Sequence, residues 1–283
     1  MNIGIIGNGF VGSAVRNGFS SHSDFVDKIK VYDKNESLSY NSLSDTVNNS
    51  DFIFLSLPTP SNKDGSINLD LINSSLEEIN NVINKNNIIL IRSTVTPGTT
   101  EYFAKKYPEL NFVFNPEFLT EKNANFDFIN QSRIILGGPE FLTNKVSSLY
   151  KLRFPKTPIV YTNYQTAELI KYMNNCFLAT KVSFMNEMNL LAKEVDADWD
   201  KALIGFQMDE RVGKSHNNVP GPDGKLGFGG SCFPKDMQAL MHFANDLGIN
   251  LHTLSGAWKT NLKVRNEKDW ESLVGRAVIE SND

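Results

Sequence analysis

The sequence predicts an α/β chain in which a doubly wound parallel sheet over residues 1–162 is followed by a long central helix and a small all-helical domain over 163–283. Three observations predict it. Short β-branched runs alternate with helical stretches in the first part. A glycine pattern stands between the first predicted strand and the first predicted helix. A stretch from Gln165 to Val195 then runs without Gly or Pro.

The strands are expected at Ile3–Ile6, Ile29–Asp33, Asp51–Leu57, Ile88–Ser93, Asn111–Asn115 and Arg133–Gly137. Segments Val11–Ser20, Leu69–Ile83 and Thr99–Tyr107 are long enough for the crossovers that parallel strands require. The arrangement is of Rossmann type. The Asn- and Ser-rich tract Lys34–Ser50 lies between strands and reads as a surface connection. After Pro158–Tyr161 the period changes. Ala167, Ile170, Met173, Phe177, Leu178, Met185, Met188 and Leu191 form an apolar stripe on a helix about 45 Å long. A helix of that length links domains or subunits. A Gly-, Pro- and Asn-rich loop, Phe206–Ser231, leads to helical stretches at Pro234–Leu247 and Leu254–Val274.

Composition excludes several classes. At 283 residues, 40% hydrophobic and 21% charged, the chain is globular rather than disordered. A net charge of -4 supplies no field for nucleic acid or an anionic membrane, so neither is expected as a partner. No apolar run approaches the ~20 residues of a membrane-spanning helix. A glycine loop starting at Gly7 leaves no room for a signal peptide, and two cysteines make no disulfide framework, so a reducing cytoplasm is expected.

Gly7-Asn8-Gly9-Phe10-Val11-Gly12 sits where a dinucleotide loop belongs. Gly7 makes the turn, Gly9 admits a pyrophosphate and Gly12 lets helix and strand pack closely. Phe10 and Val11 open the helix whose N-terminus faces the phosphates. Asp33, 21 residues past Gly12, can accept from the adenosine ribose, which selects NAD over NADP. A glycine turn without a ligand is the plainer alternative.

In Gly227-Phe228-Gly229-Gly230-Ser231-Cys232-Phe233-Pro234-Lys235-Asp236 a cysteine lies between a glycine loop and a helix start. The helix dipole, and Lys235 if close, would favour its thiolate. A small buried residue at a turn is the alternative. Cys176, amid Asn175, Phe177 and Leu178, reads as core. His22, His216, His242 and His252 have no metal-ligand spacing, and no metal is expected.

The cysteine segment closely resembles that of the UDP-glucose/GDP-mannose dehydrogenase family. Five further matches occur in the same order: Gly7–Gly12 with Asp33; Pro58-Thr59-Pro60; Ser93-Thr94-Val95-Thr96-Pro97-Gly98; Asn115–Glu121; and Ala167–Lys171 continuing to Asn175. The resemblance covers residues 1 to about 250. It implies four-electron oxidation of a nucleotide sugar, UDP-glucose in the first place and GDP-mannose as the competitor, with two NAD in succession. Cys232 would capture the intermediate aldehyde as a thiohemiacetal and carry the thioester.

The resemblance also assigns roles. Lys171 and Asn175, one helical turn apart, would stabilise an oxyanion; a solvated helix face is their plainer reading. Asp236 and Thr94 would position water and assist proton transfer. Glu121 would activate water for hydrolysis, with Glu117 as the nearby alternative. Pro58, Thr59, Thr94 and Lys235 would line the cofactor. Glu117, Phe118, Leu119, Lys171, Asn175, Phe228 and Gly229 would line the sugar nucleotide, and Arg211 would reach the sugar nucleotide of a neighbouring subunit. The long helix would form a homodimer interface.

The sequence departs from the family at two places. Lys122 stands where glycine is usual, and only 51 residues follow Cys232, so the third, nucleotide-binding domain is expected to be missing. Two other readings follow: a two-electron 3-hydroxyacid dehydrogenase, which needs no cysteine, and a non-catalytic NAD-binding remnant or subunit of a split enzyme.

Overall fold

The computed structural model describes residues 1–279 and divides them into two compact units, 1–59 with 69–171 and 60–68 with 172 onward. The boundary lies inside the long helix, some residues later than the 162/163 division drawn from the sequence, and the second unit takes nine residues from within the first.

The first unit holds β1 (Ile3–Ile6), α1 (Phe10–Ser20), β2 (Ile29–Tyr32), α2 (Leu43–Asn48), β3 (Phe52–Leu55), α3 (Asp70–Val82), β4 (Ile88–Ile91), α4 (Thr99–Lys106), β5 (Asn111–Phe114), α5 (Ala124–Ile129), β6 (Ile134–Gly137), α6 (Glu140–Arg153) and β7 (Ile159–Thr162). The sheet order is β2-β1-β3-β4-β5-β6-β7. It is parallel except between β5 and β6, which meet antiparallel through Phe114 and Gly137.

Both faces are covered, which is why the central strands read as unbroken apolar runs. Side chains alternate between the two layers. Ile3, Ile5, Phe54 and Leu90 face α1, α5 and α6, whereas Ile53, Leu55, Ile89 and Ile91 face α2, α3 and α4. At the α1–α5 contact a Cβ on Gly18 would lie 2.2 Å from the Phe128 ring, so glycine there lets the helices close.

The tract 34–50 is more than a connection. Ser42 caps α2 by accepting from the Asp45 N–H, and Val47 is buried.

The long helix α7 spans Tyr164–Glu194 and continues into the second unit, which also contains α8 (Trp199–Gln207), α9 (Cys232–Asp246) and α10 (His252–Val264). Its core joins Tyr172, Cys176 and Ala179 of α7 to Phe228, Met237, Ala239 and Ala257. The expected stripe on α7 divides: Ala167 and Met185 are buried, whereas Met173, Phe177 and Leu191 are exposed.

The helix expected to reach Val274 ends ten residues earlier. Arg265 leaves the helical conformation because its guanidinium is drawn to Asp223, Asp269 and the Leu226 carbonyl. The chain then makes a 3-10 turn at Asp269–Ser272 that buries Trp270, and pairs with the excursion 60–68. The Ser61 N–H donates to the Ala277 carbonyl at 2.8 Å, and the Ile279 N–H to the Ser61 carbonyl at 3.1 Å.

Candidate active site

In the first unit the glycine loop has the shape a dinucleotide requires. Gly7 has φ +88°, and a Cβ there would lie 2.4 Å from the Ser56 carbonyl. A Cβ on Gly12 would lie 1.9 Å from the Gly7 carbonyl, so only glycine lets α1 start this close to β1. Gly9 differs: nothing lies within 4 Å of its Cβ position, and no side chain caps α1. That open backbone beside the helix N-terminus, where Phe10 and Val11 begin α1, fits a pyrophosphate.

Asp33 directly follows β2 and accepts from the Asn8 N–H at 2.6 Å and the Asn35 N–H at 2.8 Å. It lines a cavity of about 410 Å³ with Lys34, Ser39, Tyr40 and Asn41. The Asn- and Ser-rich tract therefore builds a wall of the place where an adenosine would lie. Its polar composition was the signal available in sequence.

The loops after β3 and β4 are tied together. Thr59 donates to the Thr94 carbonyl at 2.9 Å, and Ser93 both donates to the Leu57 carbonyl and accepts from the Leu57 N–H. Thr59 and Thr94 are buried; Pro58 is exposed.

The start of α7 carries two buried charged side chains. Glu168 accepts from the Gly98 N–H at 2.6 Å and the Thr100 N–H at 2.7 Å, closing the N-terminus of α4. Burial outweighs those hydrogen bonds and pushes its carboxyl up to about 7. Lys171 donates to the Glu117 carbonyl at 2.6 Å and to its carboxylate at 2.8 Å, while the other carboxylate oxygen accepts from the Leu119 N–H. The ammonium also lies 5.5 Å from the centre of the Phe118 ring. Glu117, Phe118, Leu119 and Lys171 are thus gathered. Glu121 stands in an exposed 3-10 turn four residues on.

In the second unit Cys232 is the first residue of α9 and is half-buried, with its Sγ 3.7 Å from the Ser231 hydroxyl. One turn on, buried Asp236 accepts from Lys235 Nζ and from Asn175 Nδ2, both at 2.6 Å. Lys235, expected on the cofactor and beside the thiol, directs its ammonium to Asp236. Lys171 and Asn175 are both buried and bonded, so neither lies on a solvated face. Cys176 is core: its thiol donates to the Asp236 carbonyl, and burial raises its pKa.

The glycine loop before Cys232 is held by side chains from elsewhere in its unit. The Gly227 N–H donates to Asn186, the Phe228 N–H to Asn261 and the Gly230 N–H to Asp269. Asn261 also donates to the Phe228 carbonyl. The Phe228 ring is buried between Phe233 and Trp258, and a Cβ on Gly229 would lie 2.3 Å from Asp269. Sequence reasoning missed these holders; an Asn on an otherwise apolar helix face is the one hint that Asn186 and Asn261 offer.

Arg211 is exposed and paired with Asp209 at 2.9 Å, on a loop whose carbonyls at Val212, Gly213 and Ser215 accept from Lys181. Among the described residues no group of three His, Cys, Asp or Glu side chains is placed to hold a metal, and no helix is long and apolar enough to cross a membrane.

Comparison with known proteins follows this division. Residues 24–152 match the NAD binding domain of the UDP-glucose/GDP-mannose dehydrogenase family, and residues 165–263 match its central domain. The chain is 37% identical over 228 residues to the UDP-glucose 6-dehydrogenase of Rickettsia bellii, covering 77% of this chain and 50% of that protein. It is 34% identical over 298 residues to that of Rickettsia prowazekii, covering 92% and 67%. The chain therefore spans between half and about two thirds of the length of these relatives. A UDP-glucose dehydrogenase from the archaeon Pyrobaculum islandicum superposes with a TM-score of 0.82 at 27% identity, over 93% of this chain and 68% of that one.

Proposed function

The chain belongs to the UDP-glucose/GDP-mannose dehydrogenase family, and from that premise we propose that it is an NAD-dependent nucleotide-sugar 6-dehydrogenase that converts UDP-glucose to UDP-glucuronate. One observation carries the reading: a half-buried cysteine opens α9 within Gly227–Asp236, with Asp236 held by Lys235 and Asn175.

The Gly7–Gly12 loop would hold NAD, and two NAD bound in succession would supply hydride acceptance, one hydride from C6 of the sugar to each. The chain's own residues do the rest. The helix N-terminus favours the Cys232 thiolate, which attacks the C6 aldehyde; a C–S bond forms and the carbonyl oxygen takes a proton. Lys171 and Asn175 supply the cation and amide donor that stabilise negative charge on that oxygen. Loss of the second hydride and the hydroxyl proton gives the thioester. Water then adds, the C–S bond breaks and the thiolate leaves. Glu117 has both oxygens committed, to Lys171 and to the Leu119 N–H, so we assign removal of the water proton to Glu121. Asp236 and Thr94 orient water.

The supporting protein partner is a second copy of the chain, through the apolar residues that α7 leaves exposed. The cellular setting that suits such an enzyme is the cytoplasm.

The test is NADH formation at 340 nm with excess NAD and limiting UDP-glucose, repeated with GDP-mannose. Two NADH per UDP-glucose are expected, and Cys232→Ser is expected to lose about a hundredfold or more in rate. One NADH per sugar with an indifferent Cys232→Ser would mean a two-electron enzyme. Bound NAD without turnover of either sugar would mean a cofactor-binding partner.

A further inference from the structure

The cysteine loop contributes little to holding itself in place. Four successive residues, Gly227–Gly230, present three N–H groups to side-chain oxygens from three separate places in the chain: Asn186 on α7 at 3.1 Å, Asn261 on α10 at 2.7 Å and Asp269 behind α10 at 3.0 Å. Asn261 grips the Phe228 peptide at both ends, as a neighbouring strand would, since its Nδ2 donates to the Phe228 carbonyl at 3.0 Å. Arg265 completes the clamp. It is buried, donates to the Leu226 carbonyl at 3.2 Å and is neutralised by Asp269 and Asp223, both at 2.7 Å.

The glycines match the clamp. A Cβ on Gly227 would lie 2.4 Å from Asn261 Oδ1, and one on Gly229 would lie 2.4 Å from Arg265 Nη2. Gly227 and Gly230 also have φ of +68° and +72°. Two residues after the gripped stretch comes Cys232, so the clamp fixes the direction from which the chain enters α9. A ring contact runs in parallel: Phe233, next to the cysteine, meets Phe228, which meets Trp258, which meets Trp270.

We propose that Asn261 and the Arg265–Asp269 pair are positioning residues for Cys232, holding Leu226–Gly230 so that the thiol sits at the N-terminus of α9. The thiol's reactivity is then set by α10 and the segment behind it, from outside the motif that contains the cysteine. A clamp of this kind acts on geometry, and misplacing a reacting group by about 1 Å costs on the order of a hundredfold in rate. The inference rests on the reading of Cys232 as a nucleophile.

Its test measures the thiol without the reaction. The full chain is alkylated with iodoacetamide between pH 6 and 10, and modification of the Cys232 peptide is followed by mass spectrometry, which separates it from buried Cys176. In Asn261→Ala the midpoint of the rate profile is expected to move upward toward that of an ordinary thiol, with alkylation at pH 7 about tenfold slower. Asp269→Asn keeps an acceptor for the Gly230 N–H but loses the charge opposite Arg265, and is expected to fall between wild type and Asn261→Ala. A purely structural role would lower the melting temperature and leave the profile of the folded protein unchanged; an unchanged midpoint in folded Asn261→Ala overturns the proposal. If Asn261→Ala does not fold, Asp269→Asn and Arg265→Lys decide by the same criterion. NADH formation by Cys232→Ser separates the two readings. A shifted midpoint with undiminished NADH overturns the reaction assigned to the thiol and leaves the clamp standing, and the reverse pair of results overturns the clamp alone.

Discussion

Lys171 and Glu117 form an ion pair with almost no solvent, so removing one leaves the other buried without this counter-ion. Desolvating two ions costs several kcal/mol apiece, recovered only while both are present. Glu117→Gln is therefore expected to destabilise the chain by about 3–5 kcal/mol in urea unfolding, and Lys171→Met with Glu117→Leu to recover much of that loss. Glu168 is a different case. Its folded-state carboxyl titrates near 7, against a usual value of 4.5. Between those values the unfolded chain releases the proton while the folded chain keeps it, so ionisation favours unfolding. Stability from this group is full below pH 4.5, falls as pH rises to about 7 and is flat above. Thermal melts across pH 4.5–7.5 should show this fall, and Glu168→Gln should flatten it; equal slopes in both proteins would refute the assignment. Lys171, Asn175, Cys232 and Asp236 could be singled out in the sequence as candidates because they lie inside contiguous motifs. Asn261, Arg265 and Asp269 were not, since the peptides they hold lie 33 to 39 residues earlier and no local pattern records that pairing.

At the scale of elements, six of the seven strands of the first unit were recovered to within two residues, because buried runs leave an apolar signature, whereas the partly exposed β7 was missed. Four helices escaped notice, among them the nine-residue α8. α2 and α5 have six residues each, too short to show a period, and α6 has a mixed outer face. α10 was overextended because Trp270 and Leu273 continue the apolar spacing after the chain has left the helix to follow Arg265. The glycines of α1 separate packing from binding. Gly18→Ala would push a methyl into Phe128 and is expected to cost about 1–3 kcal/mol. Gly9→Ala meets open space at a φ of -68°, so the melting temperature should hold. Its NAD affinity, measured calorimetrically, should fall about tenfold as the methyl takes the place of the pyrophosphate. Equal loss of stability in both variants would contradict this separation.

For the molecule as a whole, Met173, Phe177, Phe184 and Leu191 are each between 45% and 66% exposed and recur on α7 at intervals of four and seven. These are the residues that the proposed dimer would cover. Sedimentation equilibrium should give twice the 31.7 kDa of one chain, and Phe177→Asp with Phe184→Asp should return it to one. A wild-type protein that stays monomeric at all concentrations would remove the dimer from the proposal. The stripe was legible as a period; which of its residues face the chain's own core was not, because α7 is apolar on more than one side.

The excursion at residues 60–68 makes the second unit discontinuous in a way that matters while the chain is being made. Ser61 leaves the ribosome early, yet the backbone it pairs with, at Ala277 and Ile279, is more than two hundred residues behind it. Ile67 packs on a core that begins at Tyr172, so it has none to enter until more than a hundred further residues have been made. All seven strands of the first unit precede α8, α9 and α10 in the chain, so this segment waits while its partners are made. A gene fragment that starts at Tyr172 would encode Cys232 and the residues that hold its loop and still lack the segment 60–68 that pairs with Ala277 and Ile279.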